Sequence, residues 1–353
     1  MFNKKCSFLL LITISLVFFT SGCVQLSKKI DYGGVFKSID SGNSLTQSSI
    51  IATTKQVDPS IGLLNIYNMV SDPQDNKAIY ALSNGLYYSY DRAMSWHIAQ
   101  DLYGKRISAL VVSNTNKCHI YASTANKIFF SNDCNRTFKE IYSDPRTSIK
   151  INKINIDVKN PSLIFAGTSK GDLLRSNDGG ISWANIKNFK YSIKDIFIEK
   201  ENSNTLYIAT DRKFYKTIDG GNEWIELTKN IEKITRKSGK LYLKKIIYTN
   251  DGEKKNITLL TKKDIIFSSN GGDTWDRLNL ITPQGKVELF SIAINPLNPK
   301  EIYYGTSKAL VKSIDGGATW TSNKLPSTRL PYCLLIDPIN TNTLYMGMYK
   351  LEE

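Results

Sequence analysis

The octapeptide SNDGGISW, residues 176–183, returns almost unchanged as TIDGGNEW (217–224), SSNGGDTW (268–275) and SIDGGATW (313–320). Three worn copies precede it: SIDSGNSL (38–45), SYDRAMSW (89–96) and SNDCNRTF (131–138). The third positions are Asp40, Asp91, Asp133, Asp178, Asp219, Asn270 and Asp315, spaced 51, 42, 45, 41, 51 and 45 residues apart. All five tryptophans of the chain, Trp96, Trp183, Trp224, Trp275 and Trp320, stand at the last position of a copy. A period of this length over the whole chain marks a repeat architecture, in which each unit buries its apolar faces against its neighbours.

The segments between copies read as strands. INIDVKNPSLIFAG (154–167), SIAINPLNPKEIYYG (291–305) and CLLIDPINTNTLYMG (333–347) each hold an apolar run, an Asp/Asn-Pro turn and a second run rich in Ile, Leu and Tyr. A third run leads into the octapeptide and a short fourth starts at its last residue. Four short antiparallel strands every ~45 residues describe a propeller blade. The first unit is a third-and-fourth-strand piece, GGVFKSIDSGNSL (33–45), and the last is a first-and-second-strand piece, PYCLLIDPINTNTLYMGMY (331–349). The expectation is an all-β, seven-bladed β-propeller over residues 33–353, closed by N-terminal and C-terminal strands sharing one blade. No helix is expected within it, and ELTKNIEKITRKSGK (226–240) reads as a basic, loop-like insert.

The octapeptide suits a tight hairpin. Paired glycines allow positive φ, the acidic side chain accepts hydrogen bonds from turn N–H groups, and the tryptophan covers the hairpin with apolar area. Asn270 holds the turn without a carboxylate, so seven such motifs read as scaffold and not as one active centre. The pattern resembles the Asp-box, or bacterial neuraminidase repeat, of sialidases, sortilin-type receptors, xyloglucan-cleaving glycosidases and photosystem II assembly/stability factors. That resemblance implies a propeller with the boxes at its periphery, and it identifies a fold unit rather than an activity. The photosystem II factors are single propellers acting as assembly helpers at a membrane, and they are the nearest functional type. Their arginine-rich patch is mirrored here mainly by lysines. The ten-bladed sortilin ring does not match seven units.

Before the repeats, Lys4 and Lys5 precede an apolar run from Phe8 to Phe19 and then TSGC, ending at Cys23. This is the layout of an export signal over residues 1–22, and twelve apolar residues are too few to span a bilayer. The ending resembles a bacterial lipobox, with Thr20 where Leu is usual, and implies lipidation of Cys23; an ordinary signal peptide cut nearby is the alternative. Residues 23–32 then form the lipidated end and a tether, Val24 to Asp31 spanning at most ~30 Å. The body is expected in the cell envelope, at the periplasmic face of an outer membrane or the outer face of the cell membrane, as a monomer.

Removing the signal lowers the formal charge from +14 to +12. A balance this basic, supplied mostly by lysine, favours an acidic protein or an anionic glycan as partner; export argues against nucleic acid. Two lone histidines, His97 and His119, and no Cys-x-x-Cys or His-Glu-x-x-His leave no metal or cofactor expected. Export permits disulfides: Cys118 and Cys134 lie on neighbouring turns of one unit and are candidates for one, while Cys333 reads as a buried free thiol.

No catalytic residue is expected. Arg329-Leu-Pro331 follows the last copy, whereas the comparable sialidase segment precedes the first, and xyloglucan-cleaving relatives place their two acids between two propellers. Asp172, Asp195, Asp211, Asp264 and Glu288 are positioned to approach the axis, but spacing singles out no pair for glycoside hydrolysis. A sialidase-like exo-hydrolase or a lectin-like module remains the alternative. The expected partner surface is the face formed by the turns between second and third strands, with Lys127, Lys170, Arg212, Lys213, Lys262, Lys263 and Lys308, and by the approaches to each first strand, with Arg106, Lys150, Lys194, Lys244, Lys286 and Arg329. The acidic octapeptides gather on the opposite face.

Overall fold

The computed structural model describes residues 31–51, 60–235, 241–250, 255–283 and 285–351. The segment expected as an export signal, Cys23 and nearly all of the expected tether lie outside them. The described strands form seven four-stranded antiparallel sheets arranged as a propeller. In the third blade they are Ile151–Ile156, Ile164–Thr168, Asp172–Ser176 and Ala184–Asn188. The first strand of each blade lies at the axis: Asn68–Ser71, Ile107–Val112, Ile151–Ile156, Ile193–Ile198, Leu243–Asn250, Leu289–Ile294 and Leu330–Ile336. Blades are numbered 1 to 7 in that order.

Blade 7 joins the two ends of the chain. Val35–Ser38 pairs with Leu344–Tyr349 on one side and Thr46–Ser48 on the other, with Val35 opposite Gly347. This closure covers strand edges that would otherwise pair with other molecules.

The second strands (IYALS, IYAST, IFAGT, LYIAT, IYYGT) are buried along nearly their whole length. Sandwiched between neighbouring blades, they lose the polar face that an exposed sheet keeps.

The octapeptide forms a closed hydrogen-bond unit. Ser176 Oγ donates to Asp178 (2.8 Å) and accepts from Gly180 N–H (2.8 Å), and Asp178 accepts from Ser182 N–H (2.9 Å) and from the Ser182 hydroxyl. Gly179 and Gly180 take φ of 72° and 95°. The worn copies keep this backbone with less suitable residues: Arg92 and Ala93 at 58° and 63°, Cys134 and Asn135 at 58° and 71°. Cys118 and Cys134 form a disulfide, tying that worn turn to the neighbouring one, and Cys333 is a buried free thiol.

Four of the hairpins are also clamped by the preceding blade. Tyr121, Tyr207, Tyr303 and Tyr345 on second strands donate to Gly179, Gly271, Ser41 and Arg92 carbonyls, the fourth octapeptide position of the following blade. Third-strand Lys37, Lys216 and Lys312 reach the same carbonyls.

One sequence expectation is corrected. Residues Thr228–Thr235, expected as loop, form an α-helix, α1. Leu227, Ile231 and Ile234 recur at helical spacing, and the helix lays that stripe on Phe214, Leu241 and Trp275. Lysines between the apolar positions hid the periodicity.

Candidate functional site

A cavity of about 700 Å³ lies on the axis. Its rim includes Asp211 and Lys262 from turns between second and third strands and Tyr67 and Tyr242 from connections between blades, so it opens on the face where the sequence places its cations. The opposite face carries the octapeptides.

A recurring defect in the inner strands shapes the rim. In blades 2 to 7 the register slips at the start of the first strand, leaving one extra residue: Ser108, Asn152, Lys194, Lys244, Phe290 and Tyr332. All six line the cavity, and Asn68 supplies the position in blade 1. A bulge re-aims a side chain without disturbing the pairing beyond it. Six bulges at one level therefore make a ring of side chains free to vary while the strands stay fixed.

The ring is chemically divided. Blades 3 to 5 contribute Lys153, Lys194, Lys244, Lys245 and Lys262, whereas Tyr67, Phe290 and Tyr332 crowd the side formed by blades 1, 6 and 7. Arg106 lies 4.1 Å over the Tyr67 ring, and Tyr349 packs between Tyr67 and Tyr332. Lys244 Nζ sits 5.1 Å from the Phe290 ring centre and donates to Leu289 O at 2.7 Å.

Burial pushes the Lys244 amine below the usual lysine range, and the Glu288 carboxylate 3.0 Å away opposes that shift. Lys245 is pushed down by burial too, with Lys153 adding to the shift and Asp195 opposing it. The Cys333 thiol is pushed up to about 12 by burial, which keeps it protonated and unreactive.

Of the five acids expected to approach the axis, only Asp195 and Asp211 line the cavity, and most are committed to partners. Asp195 bonds Lys153 (2.8 Å) and accepts from Ile246 N–H (2.8 Å), tying blades 3, 4 and 5 together. Glu288 bridges Lys244 and Lys262. Asp172 is buried under Arg146, Asn185 and Asn188, and Asp264 is buried against Arg277. Asp211 lines the cavity with its Oδ1 lacking a hydrogen-bond partner. Among the described residues no group of three His, Cys, Asp or Glu side chains is disposed to hold a metal ion.

Apart from Arg106, stacked over Tyr67, the predicted cations divide into four groups. Lys194, Lys244 and Lys262 line the cavity. Lys150, Lys170, Arg212, Lys286 and Lys308 are exposed around it, with Lys263 half-buried beside them; Arg212 lies over the Tyr191 ring. Lys127 and Lys213 are turned sideways into ion pairs with Glu140 and Glu226, both at 2.7 Å. Arg329 is a correction: it is buried, with its guanidinium on the carbonyls of Leu63 and Leu64 and on Asp31, and so holds the blade 7 to blade 1 junction and presents nothing to a partner. The sequence reading missed Lys153, Lys245 and the aromatic side of the rim. Their signal was a polar or aromatic residue breaking an apolar run two or three residues into each first strand.

No family model matches the chain. A curated protein named "Probable oligoxyloglucan-reducing end-specific xyloglucanase", from Neosartorya fischeri, is 23% identical over 188 residues, 45% of this chain. The chain spans 23% of that relative's length. Among solved structures, the GH74 xyloglucanase of Xanthomonas campestris superposes with a TM-score of 0.65 at 15% identity, covering 81% of this chain and 51% of the enzyme. YCF48 bound to D1 peptide gives 0.60 at 15% identity, covering 87% of this chain and 97% of that one. YCF48 from Cyanidioschyzon merolae gives 0.61 at 14% identity, covering 80% and 95%. At these identities the likeness is one of fold.

Proposed function

We propose that the chain is a non-enzymatic, membrane-anchored binding module of the assembly-helper type, taking an anionic segment of a partner protein into the axial cavity. The observation that carries this is the composition of the bulge-borne rim. Lysines from blades 3 to 5 face aromatic rings across one mouth, a combination suited to carboxylate side chains interleaved with apolar ones. YCF48, bound to a peptide in its solved complex, matches this chain nearly end to end. The GH74 enzymes extend well beyond it.

The test is titration of the full-length protein with a fluorescent acidic peptide containing aromatic residues, against a scrambled basic control. Binding is expected to weaken steeply with salt, since exposed charges are screened within about 8–10 Å at 0.1–0.15 M. It should fall at least tenfold in Lys194→Gln/Lys262→Gln. Salt-insensitive binding, or equal affinity for both peptides, overturns the reading.

A glycan-directed activity is the second reading. It is favoured by the xyloglucanase similarities and by the Tyr67, Phe290 and Tyr332 rings, which offer flat faces to sugars. Turnover of xyloglucan oligosaccharides or chromogenic glycosides, abolished by Asp211→Asn, would establish it in place of the first.

A further inference from the structure

The geometry points to a fixed orientation: the cavity-bearing face lies flat on an anionic bilayer, its outer loops on the headgroups and the cavity mouth toward the membrane. This goes beyond peptide binding and rests on the reading of Cys23 as a lipid-anchored residue.

Where the chain enters the fold is the first observation. Asp31 bonds Arg329 and Lys350 at 3.1 Å, and the Gly33 and Gly34 N–H groups donate to Gly62 and Leu64 carbonyls. All of these belong to the cavity-bearing face. The first strand then starts at Val35, third from the axis in blade 7, with only Thr46–Ser48 outside it.

The second is length. Eight residue steps separate Cys23 from Asp31, a reach of at most about 29 Å even when fully extended. Turning the disc over would take that segment sideways past the outer strand, roughly 10 Å, and then down a blade with its turns, roughly 25–30 Å. The reach falls short, so an anchor at Cys23 keeps the octapeptide face away from the membrane.

The third is what the two faces expose. Among the described residues, the side chains of Lys150, Lys170, Lys194, Lys263, Lys286 and Lys308 form no ion pair. Exposed Leu63, Tyr103, Tyr242 and Tyr332 share that face. Lysines with interspersed tyrosines and aliphatic side chains suit the headgroup layer, where each basic residue near an anionic surface raises partitioning about fivefold. On the opposite face the exposed Ile39, Ile181, Ile218 and Ile314 each lie within three residues of an octapeptide carboxylate, which anionic headgroups repel. Some cations there are answered, Lys117 by Asp75, Lys255 by Glu199 and Lys312 by Glu301, while exposed Lys77, Lys200 and Lys300 form no ion pair among the described residues, so the octapeptide carboxylates are what set this face apart.

The test uses lipidated full-length protein carrying an environment-sensitive dye at Lys170→Cys on the cavity face or at Lys300→Cys on the opposite face, two exposed lysines whose replacement changes charge equally. Each is placed on vesicles of phosphatidylcholine alone or with one third phosphatidylglycerol, the lipids bearing a headgroup quencher. Quenching is expected to be several-fold stronger at position 170 than at 300 on the anionic vesicles. Equal quenching, or stronger quenching at 300, overturns the orientation. Quenching at 170 that arises only when an acidic peptide is added would assign the face to protein and overturn the lipid contact. Flotation with phosphatidylcholine vesicles reports the anchor separately, and protein left unfloated overturns the anchor and the orientation together. Loss of peptide binding with the quenching asymmetry intact would instead count against the binding role alone.

Discussion

Asp178 and its counterparts act through hydroxyl and amide hydrogens within reach of one carboxylate. Hydrogen bonds from the seventh-position hydroxyl and N–H and the first-position hydroxyl hold Asp40, Asp133, Asp178 and Asp315 at about 2, down from 3.8. A group depressed on folding stabilises the fold above its unfolded pKa and ceases to do so as pH falls through the folded one. Stability should therefore decline progressively between about pH 4 and pH 2, measurable as urea midpoints across that range. Asn270 keeps the same geometry by donating from Nδ2 to Thr274 while Oδ1 accepts from Thr274 N–H. Asp178→Asn should accordingly lower the melting temperature less than Asp178→Ala. Ser176→Ala strands the buried Gly180 N–H and should cost about 1–3 kcal/mol in urea unfolding. The turn-holding role of these residues was legible in the sequence because a hairpin is local. The clamp from Tyr121 to the Gly179 carbonyl, 58 residues away, was not, since nothing in a tyrosine on a buried strand names its acceptor.

At the scale of the element, the inner-strand bulge separates what the strand must do from what its mouth can vary. Apolar runs announced first strands in the sequence, but a register slip shifts later side chains to the other face, so the sequence did not say which of Lys194 and Asp195 meets the cavity; both do. The partnership of Lys153 with Asp195 was hidden for the same reason as the tyrosine clamps, as its members sit on different blades. Because burial lowers the Lys244 and Lys245 amines, their charge is lost at lower pH than an ordinary lysine's. Anionic peptide affinity should then decline as pH rises below the usual lysine value of 10.5, and a titration that declines only above it would remove these two amines from the site. Helix α1 is held by its buried stripe, and Ile231→Ala is expected to cost about 2–5 kcal/mol by chemical denaturation.

For the whole molecule, seven weak blades become one body because each leans on the next and the last pairs with the first. The blade count and its shared closure were readable from the spacing of the octapeptides and from the complementary pieces at 33–45 and 331–349. The axial cavity was not, since it exists only when all seven first strands converge. The Cys118–Cys134 bond closes a short loop, separated by 16 residues. In the chain-entropy view its removal in Cys118→Ser/Cys134→Ser should cost about 3 kcal/mol, read as a urea midpoint shift with the fold retained.

Val35 faces Gly347 across more than three hundred residues of chain. A polypeptide emerging N-terminus first delivers the outer half of blade 7 at the outset and its inner half only at the finish. Until then the leading hairpin waits unpaired, and the circle stays a crescent with two sticky tips. Synthesis must therefore run to completion before the body locks, which makes the final strands a natural checkpoint where a holding chaperone would bind and where a truncated product would betray itself to proteases.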